Sequence, residues 1–278
     1  VPLVGENRYL VQRGLKALQE SYNPWVPALC EASGANQQDI TEETVGFYFG
    51  PRLNAIGRLG DARPGVEFLM SESQPDANQL AKQLNDKNTE RKKIVEDIAD
   101  EAIAMIESTP ALKESLVLVV AGEGWNPGVV GIVASRLVEK YYRPTIVLSL
   151  DREKGTAKGS ARSIEGFHLF NELAKNRDIL PHFGGHPMAA GMTLELEHVD
   201  ELRIRLHQQA SACLTEDQLI QKLHIDVPIE LNEISVEAIE EIRGLAPFGT
   251  EFPKPNFAIQ NVKVKSMRKI GSAENHLK

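Results

Sequence analysis

Cysteine is almost missing from this 278-residue sequence, with Cys30 and Cys213 its only two. They lie far apart in segments that read as helical, so neither a disulfide framework nor a cysteine-based metal site is expected, and a reducing, cytoplasmic setting fits best. Long apolar runs are missing too. The longest, Leu116 to Ala121, is far below the roughly 18 residues that would suggest a membrane span. The opening Val1-Pro2-Leu3 has no basic stretch followed by an apolar core, so it reads as a cut inside a longer protein rather than a signal peptide. Basic charge is in deficit, with 31 Lys and Arg against 39 Asp and Glu and a net charge of -8. That balance weighs against polyanion binding by bulk attraction, so any grip on a nucleic acid must be local.

What is present is ordinary for a folded chain: 42% hydrophobic and 25% charged residues argue against wholesale disorder. The length suits two or three domains. Leu10, Leu15, Leu18 and Trp25 recur near a helical period across Tyr9 to Ala32, a run interrupted by Pro24 and Pro27. A second helix is expected from Thr41, where Thr41-Glu42-Glu43-Thr44 resembles a cap. Glycines 50, 57, 60 and 65 with prolines 51 and 64 then predict a loop. Pro75 to Ser108 predicts one helix of about 30 residues, near 45 Å long. Its middle, Asn85 to Lys93, is wholly polar and is expected to cross solvent or a groove. After Pro110 the rhythm is strand, glycine turn, helix: a buried strand at Leu116 to Ala121, a helix at Gly128 to Tyr142 and a strand at Thr145 to Leu150, which together imply a right-handed βαβ unit. Further strands are expected at Thr156 to Ser163 and Ala189 to Glu195, with helices at Gly166 to Lys175 and Val199 to Leu214. Short alternating runs from His224 onward suggest a β-rich module.

Four segments could carry chemistry. In Gly50-Pro51-Arg52-Leu53-Asn54-Ala55-Ile56-Gly57-Arg58, two forked guanidiniums on a glycine-bounded loop could converge on phosphate oxygens, or could be ordinary surface arginines. Gly122-Glu123-Gly124-Trp125-Asn126-Pro127-Gly128 joins a strand to a helix, where free amides can meet an anion; a tight turn packed by Trp125 is at least as good a reading, since neither the dinucleotide nor the P-loop fingerprint is met. In Gly159-Ser160-Ala161-Arg162-Ser163, strand alternation points Ser160 and Arg162 to one side, a pair suited to a terminal phosphate or simply to water. In Phe183-Gly184-Gly185-His186-Pro187-Met188-Ala189-Ala190-Gly191, small residues around one imidazole read as a docking floor. The Arg91-Lys92-Lys93 run reads as a solvated helix face. The seven histidines, at 168, 182, 186, 198, 207, 224 and 276, form no cluster with Asp at ligand spacing, so no complete metal site is expected.

These four segments, in this order, are similar to the later motifs of the RecJ exonucleases within the DHH phosphoesterase superfamily. Gly-Pro-Arg-Leu-Asn-Ala-x-Gly-Arg at 50–58 looks like the motif behind that family's catalytic domain. Gly124-Trp125 through Ala134 resembles the opening of the DHH-associated domain, and Gly184-Gly185-His186 with Ala189-Ala190-Gly191 its glycine-histidine signature. Pro247-Phe248-Gly249 with Pro253 and Pro255-Asn256-Phe257 resembles the entry to the family's OB-fold. One departure is Asn126, where such proteins commonly carry histidine.

The resemblance implies an α/β chain in four parts: a remnant of the catalytic domain (1–74), a long connecting helix (75–110), a DHH-associated α/β domain (111–214) and a partial OB-like module (215–278). It further implies the substrate-binding, C-terminal part of a monomeric 5′-to-3′ single-stranded-DNA exonuclease of repair and recombination. The Mn2+ or Mg2+ of such enzymes would be bound by residues upstream of Val1, with no metal held by this chain. Arg52 or Arg58, with Ser160 and Arg162, would then grip the terminal phosphate, and His186 with the Gly184-Gly185 amides the scissile or neighbouring one, with Asn54 and Ser163 as further nucleic-acid or phosphate-binding candidates. Single-stranded DNA is the implied partner, with a single-strand-binding protein and a helicase as further candidates and no membrane. Two alternatives stay open: a non-catalytic single-strand-binding fragment, and a related phosphodiesterase acting on short oligonucleotides or cyclic dinucleotides.

Overall fold

The computed structural model describes residues 1–271 and 276–278, so residues 272–275 of the expected 215–278 module lie outside the described residues. The chain divides into two units, Leu18–Gln221 and a smaller one made of Val1–Ala17 with Lys222–Lys278. Helix α1 (Gly5–Gln19) opens the chain. In the larger unit α2 (Trp25–Ser33) ends at Gly34, whose φ of 74° is the left-handed backbone that glycine adopts without cost. Pro27 falls in its first turn, where no N–H is needed.

Thr41 and Thr44 cap the next segment reciprocally, each backbone amide donating to the other's hydroxyl at 3.1 and 3.4 Å. A π-helical turn over Thr44–Phe49 then runs straight into α3 (Gly50–Leu59). The expected loop at 50–58 is therefore a helix. Pro51 sits in the first turn, where its missing donor is harmless. Gly57 is there for close packing, since a Cβ on it would lie 3.3 Å from that of Ala62. α4 (Arg63–Leu69) follows, and then α5 (Gln74–Ser108), whose N-terminus is capped by the Ser73 hydroxyl accepting from the Asp76 amide.

The polar middle of α5 does not cross solvent, which corrects a second expectation. Leu84, Asn88 and Val95 are buried and Arg91 is half-buried. Their spacing of four, three and four residues keeps all of them on one inner stripe, which packs against α3 and, further along, against the helix after the first strand. The stripe is polar there, yet it is inside.

Short α6 (Pro110–Lys113) leads to a five-stranded mixed sheet in the order β1-β2-β3-β5-β4, formed by β1 (Leu118–Glu123), β2 (Thr145–Asp151), β3 (Thr156–Arg162), β4 (His182–Gly185) and β5 (Ala189–Glu195). β1 and β2 are parallel, joined through α7 (Val130–Tyr141) as the expected βαβ unit, and the other pairs are antiparallel. β4 is a strand the sequence reading missed, because its glycines gave no strand pattern.

Both faces of the sheet carry a core. On one, Val119, Ile146, Leu148, Ala157, Ala161, Ala190, Met192 and Leu194 pack against α8 (Leu169–Ala174) and α9 (Val199–Cys213). On the other, Leu118, Val120 and Val147 pack against α7 and the C-terminal half of α5. Among the described residues nothing apolar of this second layer lies over β5 and β4, whose residues on that side, Gly191, Gly184 and His182, are exposed.

In the smaller unit β6 (Val227–Pro228) pairs in parallel with β7 (Phe257–Ala258), β8 (Lys269–Ile270) with β9 (His276–Leu277), and α10 (Val236–Arg243) lies between β6 and β7 in the chain. Arg8 of α1 donates to the carbonyl oxygens of Pro247, at 2.7 Å, and Leu245, and its guanidinium lies 3.9 Å from the centroid of the Phe252 ring. Phe252 stacks on Phe248 with centroids 5.9 Å apart. The Pro247-Phe248-Gly249 segment is thus tied to the first helix by charge and by aromatic contact. No helix among the described residues is long and apolar enough to cross a membrane.

Candidate nucleic-acid interface

Alternation along β3 turns Ala157 and Ala161 into the α8–α9 core and leaves Lys158, Ser160 and Arg162 on the opposite face. The N-terminal turn of α7 lies directly above the latter two. A Cβ on Gly131 would come within 3.1 Å of Arg162 Nη2 and 3.2 Å of Ser160 Oγ, so glycine there is what lets both side chains reach the helix end. The amides of Val130 and Gly131 have no acceptor among the described residues, as expected at a helix N-terminus, where partial positive charge gathers. The turn before them is shaped by Gly122 and Asn126. A Cβ on Gly122 would strike the Trp125 ring at 2.2 Å, and Trp125 is buried, donating to Glu101 at 2.8 Å. Asn126 Oδ1 accepts from the Gly128 amide at 2.8 Å, so this residue closes the turn.

Helix α3 docks onto the same turn. A Cβ on Gly128 would lie 2.0 Å from the Arg58 carbonyl oxygen, and Arg58 Nη1 donates to the Gly128 carbonyl at 3.2 Å. Helical geometry separates the two arginines of the 50–58 motif: six residues at 3.6 per turn leave them about 120° apart on the helix. Arg58 faces the turn. Arg52 faces inward to the helices, donating to Asn85 Oδ1 at 3.1 Å, the Tyr48 carbonyl at 2.8 Å and the Ala32 carbonyl at 3.4 Å. Its fork is spent on holding α3 to its neighbours. Asn54, one turn before Arg58, is exposed.

Two arginines that the sequence reading passed over join the site. Arg91 of α5 donates to the buried Asn88 at 2.9 Å, while its Nε is buried with no acceptor. Burial first, then the charges of Arg58 and Arg136, push the Arg91 guanidinium below its ordinary value. Burial and then Arg58 do the same to Arg162. Arg91 thus feels Arg58 and Arg136, and Arg162 feels Arg58, across α3, α5, α7 and β3, and among the described residues none of the four is in an ion pair. Guanidiniums keep their proton under such pressure, so like charge is held together with its countercharge left to be supplied.

The remaining candidates divide. Antiparallel register places Arg162 opposite Ala189, whose carbonyl accepts from the His186 amide at 2.8 Å, and places Ser160 opposite Gly191 and Gly191 opposite Gly184. Residues directly opposite share a face. Arg162, Ala189 and His186 thus form one row and Ser160, Gly191 and Gly184 the next, with His186 exposed at the rim. A Cβ on Gly184 would meet nothing within 4 Å, so open space stands above that floor. Gly185 is needed for the chain path, because a Cβ there would lie 2.3 Å from the Ala189 carbonyl oxygen. Ser163 is buried on the other side of the strand, its hydroxyl donating to the Phe167 carbonyl at 2.5 Å, and so is not part of the site.

One group of metal-ligand type comes together among the described residues: Glu195, Glu197 and His198, with ligand atoms within 4.8 Å of one another. It lies at the far end of β5 from Ala189 and is largely exposed, away from the arginines. It does not fit a paired-metal hydrolytic centre beside them.

A helix N-terminus, Ser160, Arg162 and Arg58 thus meet on an α/β domain with a partly uncovered sheet face, and comparison with known proteins gives its class. Residues 113–212 match the DHHA1 domain family and residues 225–278 the RecJ OB domain family. The chain is 49% identical over its whole length to the single-stranded-DNA-specific exonuclease RecJ of Bacillus subtilis, covering 35% of that protein, and 35% identical to that of Haemophilus influenzae, covering 49%. The crystal structure of RecJ in complex with Mn2+ from Thermus thermophilus matches 98% of the chain with a TM-score of 0.85 at 25% identity, using 39% of that structure. This chain belongs to the RecJ family, as a C-terminal portion of it. It spans less than half the length of these curated relatives.

Proposed function

We propose that this chain is the substrate-holding part of a single-stranded-DNA exonuclease, and that the corner between α7 and β3 grips a terminal phosphate. The observation that carries this reading is the meeting of Arg162 and Ser160 with the N-terminus of α7, with Arg58 docked on the turn before it and neither arginine in an ion pair among the described residues. Arg58 and Arg162 supply forked donors, Ser160 a hydroxyl, and the Val130 and Gly131 amides the end of a helix dipole. Each charge-assisted bond of this kind is worth about 1.5–3 kcal/mol. Arg91 and Arg136 add field rather than direct contact. The floor of Gly184, Gly191 and Ala189 lets the sugar-phosphate backbone lie close to the sheet, with His186 at its rim meeting the neighbouring phosphate. Arg52 and Ser163, first expected to touch the phosphate, position the elements that do.

RecJ structures are described as complexes with Mn2+ or Mg2+. In such an enzyme the divalent ions supply metal-assisted hydrolysis, and the residues here do not fit that centre. This chain's own contribution is to hold the strand in register for it. The OB module adds base stacking and backbone contacts that are indifferent to sequence, matching a role on single strands in repair and recombination.

The test is binding of fluorescent oligo(dT) carrying either a 5′-phosphate or a 5′-hydroxyl. Arg162→Ala is expected to weaken the phosphorylated strand by about one to two orders of magnitude, from the bond energies above, and the hydroxyl strand much less. Equal loss for both strands, or none, would refute the terminal-phosphate grip. Incubation of the chain with Mn2+ and a labelled strand is expected to show binding without cleavage; cleavage would place a hydrolytic site within it.

A further inference from the structure

The uncovered face of β3, β5 and β4 continues beyond the phosphate corner. Two residues along from the row of Ser160, Gly191 and Gly184 lies another, set by the same register: Lys158 opposite Thr193, and Thr193 opposite His182. Alternation turns all three to the side away from Ala157, Met192, Leu194 and Phe183, which pack into the α8–α9 core. Lys158 and His182 are exposed and Thr193 is half-buried. In a chain where acidic residues outnumber basic ones by 39 to 31, Lys158 makes no hydrogen bond or ion pair among the described residues. The next row brings Glu195, with Glu197 beyond it, so the positive lane ends there.

Resting on the phosphate-grip reading above, we infer that Lys158, Thr193 and His182 form a second phosphate subsite, over which the single strand leaves the α7 corner along the sheet. Two residues of β-strand advance about 6.7 Å, a step comparable with the spacing of neighbouring phosphates in an extended strand. Lys158 supplies charge, the Thr193 hydroxyl and the His182 ring supply hydrogen bonds, and the glycine row between the subsites leaves room for a sugar. The acidic end of β5 repels a further phosphate and sends the strand off the sheet.

Thymidine 5′-monophosphate and the 5′-phosphorylated trinucleotide pTpTpT, each titrated against the 278-residue chain, separate the two subsites. Lys158→Gln is expected to weaken pTpTpT about tenfold, the loss of roughly one weak charge-assisted contact, and to weaken the mononucleotide far less. It should also flatten the dependence of log affinity on log salt by about 0.7, one single-strand phosphate. Arg162→Ala is expected to weaken both probes alike. If Arg162→Ala does so while Lys158→Gln leaves the ratio of the two affinities and the salt slope unchanged, the second subsite is refuted and the grip stands. If neither probe responds to Arg162→Ala, the grip itself fails and the inference falls with it.

Discussion

Gly131→Ala puts the α7 corner to the sharpest test, because stability and binding should move in opposite directions. In a helix interior alanine is favoured over glycine by about 0.8–1.0 kcal/mol, and somewhat less is expected at the second residue of α7. Against that gain, the added Cβ would sit 3.1 Å from Arg162 Nη2 and 3.2 Å from Ser160 Oγ. Each must give by a few tenths of an ångström. The end of Arg162 can swing away at little cost to the fold, but in doing so it leaves the helix end where the phosphate is held. Losing one charge-assisted bond of about 1.5–3 kcal/mol corresponds to roughly 10- to 150-fold weaker binding. Fluorescence anisotropy with 5′-phosphorylated oligo(dT), run beside a thermal melt, should show a melting temperature unchanged or raised and an affinity down by that factor. Unchanged affinity would refute the claim that Ser160 and Arg162 act against the end of α7. A joint fall of stability and affinity would show that Gly131 serves packing alone.

Arg52→Ala should lower stability by about 1–3 kcal/mol, the range for a charged donor leaving acceptors unpaired, and affinity for oligo(dT) should hardly change; a melt and a titration on the same sample check both. Arg136 is exposed and adds to the repulsion on Arg91, so Arg136→Gln should leave the melting temperature level or slightly higher while binding weakens a few-fold at low salt and less at high salt. Tyr141 donates to Glu107 at 2.9 Å, and burial together with that bond pushes its phenol up from 10.0 to about 12. A raised value in the folded state means the stabilisation is complete below pH 10 and is lost as pH rises towards 12. Denaturant melts at stepped pH should therefore show a fall in that window that Tyr141→Phe lacks.

Strands and amphipathic helices were legible because their signal is periodic. The βαβ unit from β1 to β2 and the helices α5 and α9 follow from runs of apolar residues that fix both the element and its inward face. Arg162 and Ser160 were legible for the same reason, since alternation alone sets them on one side of β3. Glycine was read less well because it has two uses. At 50–58 the pattern suggests conformational freedom, whereas Gly57 marks a close approach to Ala62, just before α4. At 182–185 it hid a strand, because Gly184 and Gly185 add no side chains to alternate.

Arg91 shows where single-sequence reading stops. A basic residue in a polar run on a helix reads as solvated, even though its spacing to Leu84 and Val95 already sets it on the inner stripe. Only packing α5 against α3 and α7 puts Arg91 beside Arg58 and Arg136 and buries its Nε. Such an arrangement is costly to the folded chain alone, for a buried donor without an acceptor and neighbouring like charges both oppose folding. A hydrophobic residue would fill the same stripe more cheaply. On the proposed grip an anion at the corner would offset the repulsion between these charges, so the cluster supports that reading more strongly than any one of its arginines does.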